Sequence, residues 1–148
     1  MESNIYFKLA SLIRIGEYII TENRPCKVVG VTTSKTGKHG GCKCHFIVVD
    51  IFTGRKYEPL HKSTDNVAIP VVTKTDYQLC DIFKDDDEDE DKYSCALMNN
   101  NKVRDDLYLS PGELVEKILA AVFSDQIIYV TVLGALNIEQ ITGFRIEK

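Results

Sequence analysis

A glycine-rich loop between two strand-like runs is the strongest constraint on the fold of this chain. The runs CKVVGVTTS (26–34) and CHFIVVDI (44–51) are rich in β-branched residues, and the segment TSKTGKHGGCK (33–43) joins them. Such runs around a glycine-containing loop predict a β-hairpin. Because glycine tolerates positive φ and has no side chain, Gly37, Gly40 and Gly41 allow a tight loop to present Lys38 at its tip.

The predicted hairpin is basic along its whole length. No acidic residue lies between Glu22 and Asp50, whereas five basic residues do: Arg24, Lys27, Lys35, Lys38 and Lys43. A cationic loop on a narrow stem is suited to phosphate, although a simple solvated turn is compatible with the same loop composition. A nucleotide-binding phosphate loop is excluded, because its first glycine and its Ser/Thr would fall at Thr32 and His39.

Charge divides the chain into two halves. Through Val71 there are ten Lys/Arg and six Asp/Glu, and from Val72 onward there are eight Lys/Arg and sixteen Asp/Glu. A length of 148 residues allows one medium domain or two small ones. The asymmetry predicts two modules, of which the basic one is the candidate for nucleic-acid binding.

The first half has the pattern of a small β-barrel. Its apolar runs read as five or six short strands with no helical periodicity: LIRI, EYIIT, CKVVGVTTS, CKCHFIVVDI, RKYEPLH and NVAIP. Turn signals at Glu22–Pro25 and at Thr53-Gly54 separate them. Short strands punctuated in this way favour a barrel.

The second half combines strands with one helix. The runs VVTKTDYQLCDIF, YSCALM, KVRDDLYL, IIYVTVLGAL and TGFRIE predict strands, with a hairpin turn at Asn99–Asn101. Ser110, Pro111 and Glu113 predict a helix start through an N-cap, a first-turn proline and a capping box. An apolar face follows at helical spacing: Leu114, Val115, Ile118, Leu119 and Val122. This order predicts an OB-type barrel, so the whole chain is expected to be mainly β.

Seven consecutive carboxylates, Asp85 to Asp91, interrupt the second half. Because like charges repel and none of these residues is apolar, the run predicts a long, solvated loop between two strands. Calcium binding is disfavoured, since the interleaved glycine and spaced ligands of a calcium loop are missing.

Neither the cysteines nor the histidines form a recognisable metal or catalytic motif. In a strand, Cys42 and Cys44 point to one face while Lys43 and His45 point to the other, so we expect no zinc site. The sequence shows no recognisable catalytic-triad spacing of Ser, His and Asp, which disfavours a small hydrolase. We therefore expect no catalytic residues and no metal.

The five cysteines also bear on the compartment. Their number is odd, and the N-terminus has no basic leader followed by an unbroken apolar stretch. No apolar run approaches the roughly 18 residues that span a bilayer. These features predict a reducing cytoplasmic environment and no membrane association.

Three blocks resemble the family of eukaryotic translation initiation factor 5A, relatives of bacterial elongation factor P. They are SKTGKHG (34–40), DIFTGRKYE (50–58) and KSTDNVAIP (62–70). Weaker similarity continues through TDYQLCDI, VRDDLYLSPGEL and YVTVLGAL. The resemblance implies an SH3-like (KOW-like) N-terminal domain over residues 1–71, which bears the loop, and a C-terminal OB-fold over residues 72–148.

The resemblance also implies a modification at Lys38. In the family, deoxyhypusine synthase transfers an aminobutyl group from spermidine to the matching lysine, and deoxyhypusine hydroxylase then completes hypusine; no other cofactor is implied. The implied tRNA- and rRNA-contacting loop comprises Lys35, Thr36, Gly37, Lys38, His39, Gly40 and Lys43. The chain departs from the family pattern at Gly41, where a second histidine is usual, and at Cys42 and Cys44, which replace small or aliphatic residues.

The implied function is that of a ribosome-binding translation elongation factor. The family factor occupies the E site of the large subunit beside the P site, where hypusine reaches the CCA end of peptidyl-tRNA. It promotes peptide-bond formation at stalled sites such as consecutive prolines, and it assists termination. From the residues alone, an unmodified RNA-binding adaptor of two small barrels remains the alternative.

Overall fold

The computed structural model describes residues 4–35, 41–85 and 92–147, with the side chain of residue 85 left out. In these ranges the chain is mainly β, with one α-helix and one short 3-10 helix. Contacts between residues divide it into two compact units. The first is Met1–Val72 with Ala135–Asn137, and the second is Thr73–Gly134 with Ile138–Lys148.

The first unit is built from seven strands in the described residues. They are β1 (Ile5–Leu9), β2 (Tyr18–Thr21), β3 (Arg24–Lys35), β4 (Cys42–Asp50), β5 (Lys56–Tyr57), β6 (Leu60–Lys62) and β7 (Asn66–Pro70). The order β2-β3-β4-β5 forms one sheet, in which β6 also pairs with β4, while β1 pairs with β7. All of these pairs are antiparallel.

The predicted strand LIRI (12–15) is wrong, because the first strand lies earlier and residues Ala10–Leu12 form the 3-10 helix. The amide of Ala10 donates to the carbonyl of Asp65 at 2.9 Å, and the amide of Ile13 donates back to Ala10 at 3.2 Å. This segment therefore turns instead of joining a ladder. Its apolar pattern reflects one buried anchor, Ile13, beside the exposed Leu12 and Ile15.

Strands β3 and β4 form the centre of the first core. Their inward residues are buried, and they pack with residues from β2, from β7 and from the 3-10 helix and its C-cap. The cluster comprises Ala10, Ile13, Ile19, Cys26, Val28, Cys44, Phe46, Val48, Val67 and Ile69. A β-bulge between Val28 and Gly30 shifts the register. Gly30 lies opposite Ile47, and a Cβ there would come within 3.3 Å of the Ile47 Cδ1 atom.

Two-residue turns with positive φ close three hairpins in the described residues, of which the one between β11 and β12 is formed by Leu136 and Asn137. Asn100 and Asn101 have φ of 51° and 64°, which is the pattern of a type I′ turn, and they confirm the turn predicted at Asn99–Asn101. Glu22 and Asn23 (53° and 62°) close β2–β3 in the same way, within the predicted turn region.

The second unit has five strands and the helix. The strands are β8 (Thr73–Asp85), β9 (Lys92–Asn99), β10 (Lys102–Leu109), β11 (Ile128–Ala135) and β12 (Ile138–Ile146), in the order β10-β9-β8-β11-β12. Helix α1 (Glu113–Phe123) packs Val115, Ile118 and Ala121 into the core of this unit.

The predicted helix start is wrong by two residues. Gly112 occupies the N-cap, no side chain caps the helix, and the Glu116 amide donates to the Gly112 carbonyl at 3.2 Å. Ser110 and Pro111 are exposed and precede the helix. The capping signal therefore marks the approach to the helix and not its first residue.

The predicted apolar face of α1 is correct except at its end. Val115 and Ile118 are buried and Leu114 and Leu119 pack against the core, but Val122 is 39% exposed. Val122 borders an open pocket of about 170 Å³, lined also by Leu79, Ile82 and Ile128. Because the last turn faces this pocket, the helical period alone does not bury Val122.

The acidic run connects β8 to β9. The residue pair 85 and 92 closes the β8–β9 ladder, and residues 86–91 lie outside the described part of the chain. The solvated-loop prediction for Asp85 to Asp91 therefore stays a prediction. In the described ranges, no helix combines the length and apolarity needed to cross a membrane.

Candidate nucleic-acid interface

Strands β3 and β4 form the stem on which the predicted loop residues are placed. Their pairing runs from Cys26 opposite Asp50 to Lys35 opposite Cys42, so six residues, 36–41, connect the two strands. Lys35 and Lys43 therefore lie at the loop end of the stem. The other predicted site residues lie outside the described residues: Thr36, Gly37, Lys38, His39 and Gly40.

Strand β6 supports one side of the stem as far as the loop. It pairs with β4 from His45 opposite Leu60 to Lys43 opposite Lys62. Beyond that pair, the amide of Ser63 donates to the carbonyl of Cys42 at 2.8 Å. Every backbone hydrogen bond of this kind restrains the strand, so β4 is held up to its first residue.

Along the other edge of the stem, no described strand pairs with the last four residues of β3. The last four residues of β3, from Thr32 to Lys35, are all exposed, so this part of the strand extends past the core. A narrow ribbon that is restrained on one edge and open on the other can carry its loop outward while keeping a defined direction. Such a stem is suited to placing one side chain at a distance from the core.

The side chains of β4 alternate between a buried face and an outer face, as the sequence predicts. Cys44 is 1% exposed and packs beside Phe46, whereas Lys43 and His45 lie on the opposite face. Burial raises the pKa of the Cys44 thiol, which disfavours the thiolate that a metal requires. The described residues contain no group of three or more potential metal ligands.

Lys43 has a cationic neighbour that the sequence did not point to. Lys62 lies directly opposite it on β6. None of Lys35, Lys43 and Lys62 makes an ion pair within the described residues. Sequence analysis missed Lys62, because the pairing of β4 with β6 depends on the tertiary fold. Its position at the start of the block KSTDNVAIP was the available signal.

An ion pair between Arg24 and the buried carboxylate of Asp50 fixes the far end of the same hairpin. Asp50 is 2% exposed, and its carboxylate accepts hydrogen bonds from Arg24 Nε at 2.7 Å and from the amides of Phe52 and Thr53 at 2.8 and 3.2 Å. Burial alone raises the pKa of Asp50, but these hydrogen bonds outweigh it and lower the pKa to about 2. The charged carboxylate thus ties the start of β3 to the end of β4.

Two family models together match most of the chain. Residues 3–65 match the model "Translation initiation factor 5A-like, N-terminal", and residues 71–145 match "Eukaryotic elongation factor 5A hypusine, DNA-binding OB fold". An SH3-like domain followed by an OB domain with one helix is the predicted fold, and it is confirmed. This fold and the hypusine family model define a class of translation factors that are not enzymes.

Relatives and solved structures agree with this class. The chain is 42% identical over 144 residues to eukaryotic translation initiation factor 5A-1 of Arabidopsis thaliana, covering 97% of this chain and 87% of the relative. A translation initiation factor 5A family protein from Naegleria fowleri superposes with a TM-score of 0.84 at 36% identity, covering 97% of this chain and 99% of that one. The chain belongs to the eukaryotic translation initiation factor 5A family.

A more distant structure shares the fold. Eukaryotic translation initiation factor 5A from Methanococcus jannaschii superposes with a TM-score of 0.71 at 21% identity, covering 99% of this chain and 98% of that one. The family models and the Arabidopsis thaliana relative confirm the resemblance on which the hypusine prediction depends. Members of this family carry hypusine derived from spermidine.

Proposed function

We propose that this chain is a translation elongation factor whose hypusinated Lys38 reaches the CCA end of peptidyl-tRNA. Bound in the E site of the large ribosomal subunit, it promotes peptide-bond formation at stalled sites, such as consecutive prolines, and assists termination. The observation that carries this proposal is the stem. Lys38 lies within a six-residue connection between Lys35 and Cys42, on a ribbon held by β6 up to the loop.

The chemistry of the modification fits that position. Aminobutyl transfer lengthens the lysine side chain by roughly 6 Å, judged from standard bond lengths, and leaves a secondary and a primary amine. Two spaced cations and a hydroxyl can contact neighbouring phosphates and 2′-hydroxyls, which a single ammonium cannot do. Deoxyhypusine synthase and deoxyhypusine hydroxylase are the proposed modifying partners.

The proposed role is positioning, with no chemical group supplied to the reaction. Holding a reactant in a productive geometry lowers a barrier by removing its entropic cost. A restrained stem serves this role better than a free loop, because movement of the stem would lose the gain from holding the side chain in one orientation. The hydrogen bond from Ser63 to Cys42 and the β4–β6 pairs supply that restraint.

The residues around Lys38 belong to the same proposed binding surface. Lys35, Thr36, Gly37, His39, Gly40 and Lys43 contact tRNA and rRNA together with Lys38. The loop-bearing domain spans residues 1–71, and the OB domain spans residues 72–148. The factor works in the cytoplasm, where ribosomes translate.

The mass of the loop peptide from natively expressed protein tests this proposal against an unmodified RNA-binding adaptor. The proposal predicts a peptide heavier by one aminobutyl group plus one oxygen, with fragmentation placing the addition on Lys38. The peptide that contains Lys43 alone serves as an internal control and is expected without the addition. An unmodified Lys38 in protein from its own cells would favour the adaptor and contradict the proposal.

A further inference from the structure

The turn that follows β6, over residues 62–65, is closed by a single residue, Asp65. The Asp65 amide donates to the Lys62 carbonyl at 3.0 Å, and the Asp65 carboxylate accepts a hydrogen bond from the Lys62 amide at 2.8 Å. Aspartate side chains form such local bonds to nearby backbone groups and thereby fix a turn. Both backbone groups of Lys62 are thus bonded within this segment, which we name the 62–65 turn.

The 62–65 turn is attached to the core of the first unit. Its Ser63 and Asp65 carbonyls accept hydrogen bonds from the amides of Ser11 and Ala10 at 3.2 and 2.9 Å. Ala10 is 1% exposed and belongs to the buried cluster of this unit. Because buried residues are closely packed, these bonds tie the position of the turn to that of the core.

The same turn holds the residue at which the chain re-enters the sheet after the loop. The Ser63 amide donates to the Cys42 carbonyl at 2.8 Å, and three residues separate Cys42 from Lys38. A hydrogen-bonded path therefore runs from Ala10 through Asp65 and Ser63 to Cys42. If the turn moved, the attachment point of the loop that bears Lys38 would move with it.

The negative charge of Asp65 is only weakly paired. Its carboxylate lies 3.8 Å from His61 Nδ1, which is beyond hydrogen-bond distance, and the Asp65 and His61 side chains are 44% and 28% exposed. Ion pairs at such exposure contribute little to stability. The acceptor oxygen of Asp65, and not its charge, is therefore the property that holds the 62–65 turn. Asparagine keeps a side-chain oxygen acceptor, whereas alanine removes it.

We propose that Asp65 is a positioning residue for Lys38. It closes the 62–65 turn, the turn holds Cys42 through Ser63, and the loop is thereby presented in one direction. Asp65 acts through the backbone of β4 and supplies no contact to the tRNA. The inference rests on the proposed function, because the direction of the loop matters only if Lys38 reaches the tRNA. A misplacement of about 1 Å at a positioned group can lower a rate strongly.

The test is relief of stalling on consecutive proline codons in a reconstituted elongation assay, over a range of concentrations of full-length factor confirmed by mass as hypusinated. The maximal rate reports how well the bound factor positions the tRNA, and the half-saturating concentration reports binding. The variants are Asp65→Ala and Asp65→Asn. Asp81→Ala is the matched control, because it removes an exposed carboxylate that also accepts from a backbone amide, that of Ile82 at 2.9 Å.

We expect Asp65→Ala to lower the maximal rate about fivefold or more and to leave the half-saturating concentration within about twofold of wild type. Asp65→Asn should keep most of the wild-type rate, because the acceptor oxygen remains. Both variants lose the negative charge, so an effect of charge on binding would change their half-saturating concentrations equally. Asp81→Ala should match wild type.

A second measurement follows the turn itself and needs no hypusine. In full-length, unmodified protein, amide hydrogen exchange at Ser63 should be about tenfold faster in Asp65→Ala than in wild type and unchanged in Asp65→Asn. The Asp50 amide, which donates to the Arg55 carbonyl at 2.8 Å at the far end of the hairpin, is the internal control and should exchange as in wild type. Faster exchange at both amides would show general unfolding and overturn the inference.

The kinetic results can also contradict the role of Asp65. An unchanged maximal rate for Asp65→Ala, an equal loss for Asp65→Asn or Asp81→Ala, or a change confined to the half-saturating concentration would overturn the inference. Unchanged exchange at Ser63 in Asp65→Ala would do the same. Failure of hypusinated wild type to relieve stalling would instead contradict the proposed function, and exchange at Ser63 would then decide alone whether Asp65 holds the loop-bearing strand.

Discussion

At the residue scale, Asp50 ties the two strands of the loop-bearing hairpin together at the end far from the loop. It is a buried carboxylate that accepts hydrogen bonds from Arg24 and from two backbone amides, so its charge is compensated where water cannot reach it. Breaking such a pair leaves the partner charge uncompensated. Its contribution must therefore depend on pH.

Acid should weaken the first unit through Asp50. The folded pKa of Asp50 is about 2, against an ordinary value of 3.8, so the unfolded chain takes up a proton first as the pH falls. Asp50 therefore contributes about 2 kcal/mol to the free energy of unfolding above about pH 5, and this contribution is lost as the pH falls towards 2. Urea unfolding of wild type and Asp50→Asn at pH 6 and pH 3 measures this loss of stability.

The Asp50→Asn variant should unfold about 2–3 kcal/mol more easily at pH 6 and lose most of this pH dependence, since no carboxylate remains to titrate. Asp105→Asn, at an exposed position, is the control and should behave as wild type. Parallel pH profiles for wild type and Asp50→Asn would show that Asp50 does not anchor the hairpin.

The five thiols should differ in reactivity. Burial raises the pKa of Cys26 and Cys95 to about 11 and also raises that of Cys44, whereas Cys80 is exposed. The thiolate is the reactive form, so we expect iodoacetamide at pH 8 to label Cys80 first and the buried thiols only after unfolding. Peptide mass mapping over time checks the order, and early labelling of Cys44 would contradict the burial of the β4 inner face.

At the element scale, the hairpins follow from local sequence, whereas other features depend on tertiary contacts. The turn at Asn99–Asn101 could be predicted because asparagine tolerates positive φ. Three other features could not be predicted, because each depends on residues distant in sequence or on packing at the end of an element. They are the 3-10 helix at Ala10–Leu12, the cap at Gly112 and the Lys43–Lys62 pair. The predicted site residues Lys35 and Lys43 lie at the loop end of the stem, and their contact with tRNA and rRNA stays a prediction.

Asn101 tests the turn chemistry directly. Its φ of 64° lies in the left-handed region, where a side chain with a Cβ and no local hydrogen bonding is strained by about 1 kcal/mol or more. Asn101→Ala should lower the free energy of unfolding by about that amount, while Asn101→Gly should be neutral or slightly stabilising. Urea unfolding of the two variants measures these changes. Equal effects of alanine and glycine on the free energy of unfolding would argue against the left-handed turn.

At the scale of the whole molecule, the chain combines a basic module that bears the loop with an acidic OB module. A small barrel followed by an OB-type barrel could be predicted from strand spacing, turn signals and the single helix, whereas the SH3-like type of the first barrel came from the family resemblance. The pairing of Lys43 with Lys62 could not be predicted, because it depends on which strands lie side by side. The fold thus brings basic residues that are distant in sequence to neighbouring positions of one sheet.

The most direct test of the central claim is the activity of Lys38→Arg in a reconstituted elongation assay on a message with consecutive proline codons. A loop substitution of this kind rarely changes stability by more than about 0.5 kcal/mol, so urea unfolding should match wild type. Lys74→Arg, an exposed position in the OB unit, is the matched control. We predict that modified wild type and Lys74→Arg relieve stalling and that Lys38→Arg does not. Relief of stalling by Lys38→Arg at the wild-type rate would contradict the claim that hypusine at Lys38 carries the function.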